Sequence, residues 1–262
     1  MNNHSFAEVT MYPHHTDSIK ILTDYCRNKP EIIGLLLVGS VATGEARADS
    51  DLDCVAIISQ EALDERIRTG VGSLEVVHGM CTYNGGYFDI HYHSPEQCQT
   101  FATSGSEPMR NLFRDAQVLY CDDPQLVDLV AAIPRYPKKD AALRQFKFYC
   151  TFKMFHRYFW NTCKPEGFFR THVANGMVFN LYRLILIENE ILFPCMRKLE
   201  STVTIAPNKP AHIIEKTARL LQTLDDKDCA ALVEAYENWT SYDYPKDHNT
   251  IMNNFANKWE WE

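Results

Sequence analysis

The chain has 262 residues, 45% of them hydrophobic and 23% charged, so it can bury a full core without a disulfide or a structural metal. Its formal net charge of -8 argues against a general nucleic-acid binder, and no apolar run reaches the roughly 18 residues of a membrane span. The opening stretch MNNHSFAEVTMYPHH lacks the basic-then-apolar order of a secretory signal, and the nine cysteines form no CxxC pair. A cytoplasmic protein with reduced thiols is expected.

The charge is unevenly placed. Residues 1–133 carry 8 Lys and Arg against 19 Asp and Glu, a net of -11, whereas residues 134–262 carry 18 against 15, a net of +3. Between residues 135 and 183, ten basic residues stand against only Asp140 and Glu166.

In chain order, residues 15–28 space apolar Ile19, Ile21, Leu22, Tyr25 and Cys26 as a helix that Lys29-Pro30 stops. IIGLLLVGS, residues 32–40, is too short an apolar run for a capped helix and predicts a buried strand. LDCVAII, residues 52–58, predicts a second. Residues 74–83 and 86–93 flank Asn84-Gly85, which predicts a hairpin. Four strands and an early helix fit a mixed α/β domain over residues 1–133. Beyond Pro124 the strand signals fade. Helices are expected over about 140–161, 165–189, 209–223 and 225–239, so residues 134–262 read as an all-α helical domain.

The chemistry concentrates in Val38-Gly39-Ser40-Val41-Ala42-Thr43-Gly44 and Ser50-Asp51-Leu52-Asp53. A strand ending in Gly-Ser lets backbone approach a phosphate closely, because glycine has no Cβ, while N–H groups and the Ser40 hydroxyl grip phosphate oxygens. Asp51 and Asp53 lie two apart at a strand mouth and so point to one face, where two carboxylates can hold one or two hard cations such as Mg²⁺. Asp89, an isolated acid in Tyr87-Phe88-Asp89-Ile90-His91, supplies a third on a neighbouring strand. Alone, a DxD pair also fits turn or cap residues. The upstream Gly39-Ser40 turns the balance toward a site.

Gly39-Ser40, then Asp51-x-Asp53, then Asp89 on a later strand resembles the signature of the polymerase-beta-like nucleotidyltransferase superfamily, over about residues 32–93. The resemblance implies that Gly39 and Ser40 bind the triphosphate of ATP or another nucleoside triphosphate. It implies that Asp51, Asp53 and Asp89 ligate two Mg²⁺ ions, with Asp89 also the base at the attacking hydroxyl. Arg47 and Ser50 match variable or supporting positions. Length and a helical second domain resemble the small aminoglycoside and lincosamide nucleotidyltransferases, which implies AMP transfer to a hydroxyl of a small molecule. A non-catalytic nucleotide- or partner-binding module and a protein or RNA acceptor are the alternatives.

Lys147 is the choice for added positive charge toward a triphosphate, against a solvated or domain-docking role for the same stripe. His172, Arg183 and Glu190 fall on nearly one helical line and could form an acceptor seam or a structural network. The aromatic run 146–160 surrounds its helix and reads first as bundle core. His91 shares a face with Asp89, which leaves a zinc role conceivable. Glu107, in the loop of residues 105–108, is a second choice for the base.

Overall fold

The computed structural model describes residues 11–256, so the N-terminal decapeptide read above for a signal lies outside the described residues. Contacts divide the chain into two compact units, with the break between Arg135 and Tyr136. None of the described helices is long and apolar enough to cross a membrane.

The first unit opens with helix α1 (Pro13–Arg27), which has proline in its first turn and buries His15, Ser18, Ile19, Leu22 and Cys26 on one face. Strand β1 (Ile32–Leu37) ends earlier than its apolar run, because Gly39 at φ +70° turns the chain into the five-residue helix α2 (Gly39–Thr43). Strand β2 (Leu52–Ile58) follows, then helix α3 (Gln60–Arg68), strand β3 (Leu74–His78) and strand β4 (Tyr87–His93).

β3 and β4 do pair antiparallel, but the hairpin is not tight. β3 stops at His78, and residues 79–86 make a long connection in which Asn84-Gly85 is only the last turn. Helices α4 (Pro95–Ser104) and α5 (Glu107–Leu112), a fifth strand β5 (Gln117–Cys121) and helix α6 (Pro124–Ala132) complete the unit. Sequence periodicity missed these four. The three helices are too short to show a period, yet each is announced by a cap: Ser94, Ser106 and Asp123 accept backbone N–H groups, with proline in the first turn each time.

The sheet order is β3-β4-β2-β1-β5, with β2 and β4 parallel and the other neighbours antiparallel. Strand alternation sorts side chains to two faces. Leu35, Leu37, Cys54, Ala56, Phe88 and Ile90 pack on the α1 and α3 side, whereas Leu36, Val55, Ile57, Cys98, Phe113 and Leu126 pack on the α4 and α6 side.

The second unit is helical: α7 (Ala141–Met154), α8 (Gly167–Glu188), α9 (Leu199–Ile205), α10 (Ile213–Thr223), α11 (Asp226–Trp239) and α12 (His248–Asn254). α7 runs on as a π-helical segment, Phe155–Thr162, whose wider turn shows in the Cys163 N–H donating to the Tyr158 carbonyl at 2.9 Å. Residues 180–187 of α8 are buried on all sides, and Tyr149, Phe152, Phe155, Phe159 and Trp160 join them in one core. The predicted polar seam separates into three unrelated environments. His172 is exposed beside Phe168 and Phe169, Arg183 is buried with its guanidinium over the rings of Phe148 and Phe193, and Glu190 lies beyond the helix end, 2.8 Å from Lys138.

Two polar groups inside the units give stability predictions. Arg110, 3% exposed, donates to the carbonyls of Ala102, Gly105, Ile133 and Arg135 at 3.0 to 3.3 Å, tying α4 and α5 to the end of the first unit. Arg110→Ala strands those acceptors and should lower the urea-unfolding free energy of the first unit by at least about 3 kcal/mol.

In the second unit Lys153 is buried against Glu237 at 2.5 Å, and its ammonium lies 3.5 Å from His156 Nδ1. Burial first, then the Lys153 charge, push the His156 imidazole down to about 4 from its usual 6.5, with Glu237 opposing and Arg157 reinforcing. Between those two values the unfolded chain binds the proton and the folded chain does not, so stability is full above about pH 6.5 and falls toward pH 4. His156→Gln should flatten that part of the urea-midpoint profile. An unchanged slope would place the proton uptake elsewhere.

Candidate active site

The parallel register of β2 and β4 sets Asp53 directly beside Asp89, and cross-strand partners share a face. Asp51 lies just before β2. The Tyr87 hydroxyl, two residues before Asp89 on the same face, donates to Asp51 Oδ2 at 2.9 Å, which brings Asp51 to that face as well. All three predicted acids therefore gather on one side of the sheet, where the adjoining edge of β3 leaves Leu74 and Val76 exposed.

Gly39 is held against this cluster. A Cβ at that position would stand 2.0 Å from Asp53 Oδ2 and 2.7 Å from its Cγ, and the backbone has φ +70°, so both space and conformation demand glycine. The Val38 N–H donates to the Asp53 carbonyl at 2.9 Å, which locks the end of β1 to the start of β2. Ser40 is half-buried in the first turn of α2. The approach to Asp51 is closed by Arg47 and Ser50: the Arg47 N–H donates to Ser50 Oγ at 2.9 Å and the Ser50 N–H to the Arg47 carbonyl at 3.1 Å.

Asp89 is the least satisfied of the three acids. Its Oδ1 is buried and accepts no hydrogen bond, with the His91 ring Nε2 at 3.9 Å. His91 itself is one-third exposed and stacks on His93, whose ring is buried, held below the usual imidazole range by that burial, and bonded through Nδ1 to Gln97. This orphaned carboxylate oxygen and an all-oxygen donor set suit a hard cation such as Mg²⁺. Among the described residues no three His, Cys, Asp or Glu side chains are already closed into a metal-holding group. The carboxylates line an open face, and Mg²⁺ characteristically takes one or two carboxylates and completes its shell with water and substrate phosphates.

Lys147 belongs to the second unit, where its ammonium donates to Asn254 Oδ1 at 3.2 Å. Glu107 is not in an open loop: it is 7% exposed in the first turn of α5. Three residues that periodicity could not single out support the site, namely Tyr83, Gly86 and Tyr87. The Tyr83 hydroxyl donates to the Ser50 carbonyl at 2.6 Å, and His14, at the start of α1, bonds the Ala48 carbonyl at 2.9 Å. The sequence signal available for them was their place around the Asn84-Gly85 turn and just before Asp89.

A family model described as a nucleotidyltransferase domain matches residues 18–152 of this chain. Among solved structures, the nucleotidyltransferase-like protein from Exiguobacterium sibiricum 255-15 is 12% identical, with 86% of this chain and 73% of that one covered at a TM-score of 0.43. Spectinomycin adenyltransferase AAD(9) from Enterococcus faecialis, solved with ATP and spectinomycin, is 14% identical, with 95% and 99% covered at a TM-score of 0.33. No curated protein matches. The family match takes in 135 of the 262 residues, and within it fall Gly39, Ser40, Asp51, Asp53 and Asp89. The chain belongs to the nucleotidyltransferase domain family.

Proposed function

We propose that the protein transfers a nucleoside monophosphate, AMP from ATP, to a hydroxyl group of a small molecule and releases pyrophosphate. The observation that carries this reading is the side-by-side placement of Asp53 and Asp89, with Asp51 on the same face and Gly39 leaving bare backbone against Asp53. Three carboxylates kept together at a strand mouth repel one another, an arrangement that contributes nothing to a core and suits cation-assisted phosphoryl chemistry.

In the proposed reaction the acceptor oxygen attacks the α-phosphorus, the bond from that phosphorus to the bridging oxygen breaks, and pyrophosphate leaves. Asp89 accepts the proton of the attacking hydroxyl, within hydrogen-bond reach directly or through one water. Asp51 and Asp53, with Asp89, would hold the Mg²⁺, which when bound offsets phosphate charge and lowers the hydroxyl's pKa. Gly39 and Ser40 present backbone and hydroxyl donors to the phosphates, and Gly39 keeps Asp53 in place by leaving its carboxylate room.

An α-³²P-ATP screen over aminoglycosides, lincosamides and other hydroxylated metabolites, with protein and RNA as further arms, tests the reading through label transfer. Once an acceptor is found, Asp51→Asn and Asp53→Asn should each remove detectable transfer while leaving the thermal transition in place. Full turnover by either would sink the assignment. Asp89→Asn should slow the single-turnover rate by about 10²- to 10⁴-fold, the usual worth of a general base.

Gly39→Ala must force a side chain both into φ +70° and into the Asp53 carboxylate. It should cost about 1–3 kcal/mol of stability and most of the transfer activity, read by thermal unfolding and pyrophosphate release on one preparation.

A further inference from the structure

The connection between β3 and β4 has more internal structure than a linker needs. At one end it is fastened to α1: the Thr82 N–H donates to Ser18 Oγ at 2.9 Å, and Thr82 Oγ1 donates to the His14 carbonyl at 3.0 Å. Ser18 is fully buried, as is His15, whose ring packs on Tyr83 with centroids 5.1 Å apart. At the other end two tyrosines reach across to the segment that carries the first acid. Tyr83 donates to the Ser50 carbonyl at 2.6 Å, and Tyr87 donates to the Asp51 carboxylate itself at 2.9 Å.

Gly86 makes this reach possible. A Cβ there would stand 2.6 Å from Tyr83 Cζ and 2.8 Å from Cys81 Cβ, so the connection can fold over the Tyr83 ring only with glycine at that point. Tyr87 then enters β4 with its ring beside His78, centroids 5.5 Å apart, and its hydroxyl toward Asp51. The contact to Asp51 occupies Oδ2.

We infer that Tyr87 is a positioning residue for the nucleotidyl-transfer site: its hydroxyl fixes the rotamer of Asp51 so that the remaining carboxylate oxygen is presented to the catalytic cation. This rests on the nucleotidyltransferase reading above. Asp51 lies outside the strand ladder, on a turn whose closing bonds at Arg47 and Ser50 are exposed, whereas Asp53 and Asp89 are held by strand pairing. The direction of the Asp51 carboxylate is therefore set by a side-chain partner rather than by strand pairing. A hydrogen bond that orients a metal-ligating carboxylate typically accounts for about 10- to 100-fold in cation affinity.

Tyr87→Phe keeps the ring against His78 and removes only the donor, so the fold is retained. The test compares wild type, Tyr87→Phe and Asp51→Asn in two ways. The first, independent of turnover, follows Mn²⁺ binding by its electron paramagnetic resonance signal in the presence of a non-hydrolysable ATP analogue. The second is the Mg²⁺ dependence of label transfer.

For Tyr87→Phe the Mn²⁺ dissociation constant and the Mg²⁺ half-saturation should both rise by about tenfold. The apo melting temperature and the acceptor KM should stay close to wild type, and kcat should recover at saturating Mg²⁺. A merely structural tyrosine would lower the melting temperature and leave cation affinity unchanged, which would overturn the inference. Equal Mn²⁺ binding in wild type and Tyr87→Phe, with loss in Asp51→Asn, would defeat the role of Tyr87 alone. Absence of nucleotide-dependent Mn²⁺ binding in wild type would defeat the functional reading beneath it.

Discussion

Parallel pairing of β2 with β4 is the constraint on which the first unit depends. β2 is the third strand of the sheet order and β4 the second, with a helix and an edge strand between them in sequence, so nothing local places Asp53 next to Asp89. Once the two strands are in register, alternation sends Phe88 and Ile90 into the apolar layer under α1 and α3, and the same alternation sends Asp89 to the opposite face. A slip of one residue would bury the acid and expose the aromatic ring. The hydrophobic layer therefore holds the carboxylates where they are, and the mutual repulsion of those carboxylates is opposed by the packing of the whole unit.

Around that register, short-range devices set the details. Gly39 allows the end of β1 to lie against Asp53, the bond from the Val38 N–H closes the same contact from the backbone, and the Arg47–Ser50 turn delivers Asp51. The β3–β4 connection approaches from the other side with Tyr83 and Tyr87, and is fastened to α1 through Ser18 and Thr82. Polar side chains thus fix the loop that strand pairing cannot reach, a division of labour expected where an open face needs precise carboxylate directions.

The second unit solves a different problem. Its long α8 is buried on every side over residues 180–187, Asn180 and Arg183 included, and packs against aromatic residues of α7 and the π-helical turn. A charged pair inside this unit, Lys153 with Glu237, places a buried ammonium against a partly exposed carboxylate. Such a pair adds little net stability compared with apolar packing, but losing either partner is costly because the other is left uncompensated. The neighbouring imidazole of His156 is kept neutral by the same burial and the same charge.

Much of this was legible in the residues themselves. Apolar runs located β1, β2 and β4, the cap and proline signals bounded α1 and the long helices, and the spacing of Gly39-Ser40, Asp51-x-Asp53 and Asp89 named the acids that the sheet brings to one face. Local chemistry determines such features, since periodicity, capping and glycine conformation act over a few residues. The sequence could not show that β1 would stop at Leu37, that residues 79–86 would leave the hairpin to reach Ser50 and Asp51, that β5 would join the other edge, or that Glu107 would be buried. These depend on partners distant in the chain or on packing against another element, even where, as at Gly39, a local residue makes the turn, and strand register, burial and the direction of a carboxylate are decided only when those partners meet.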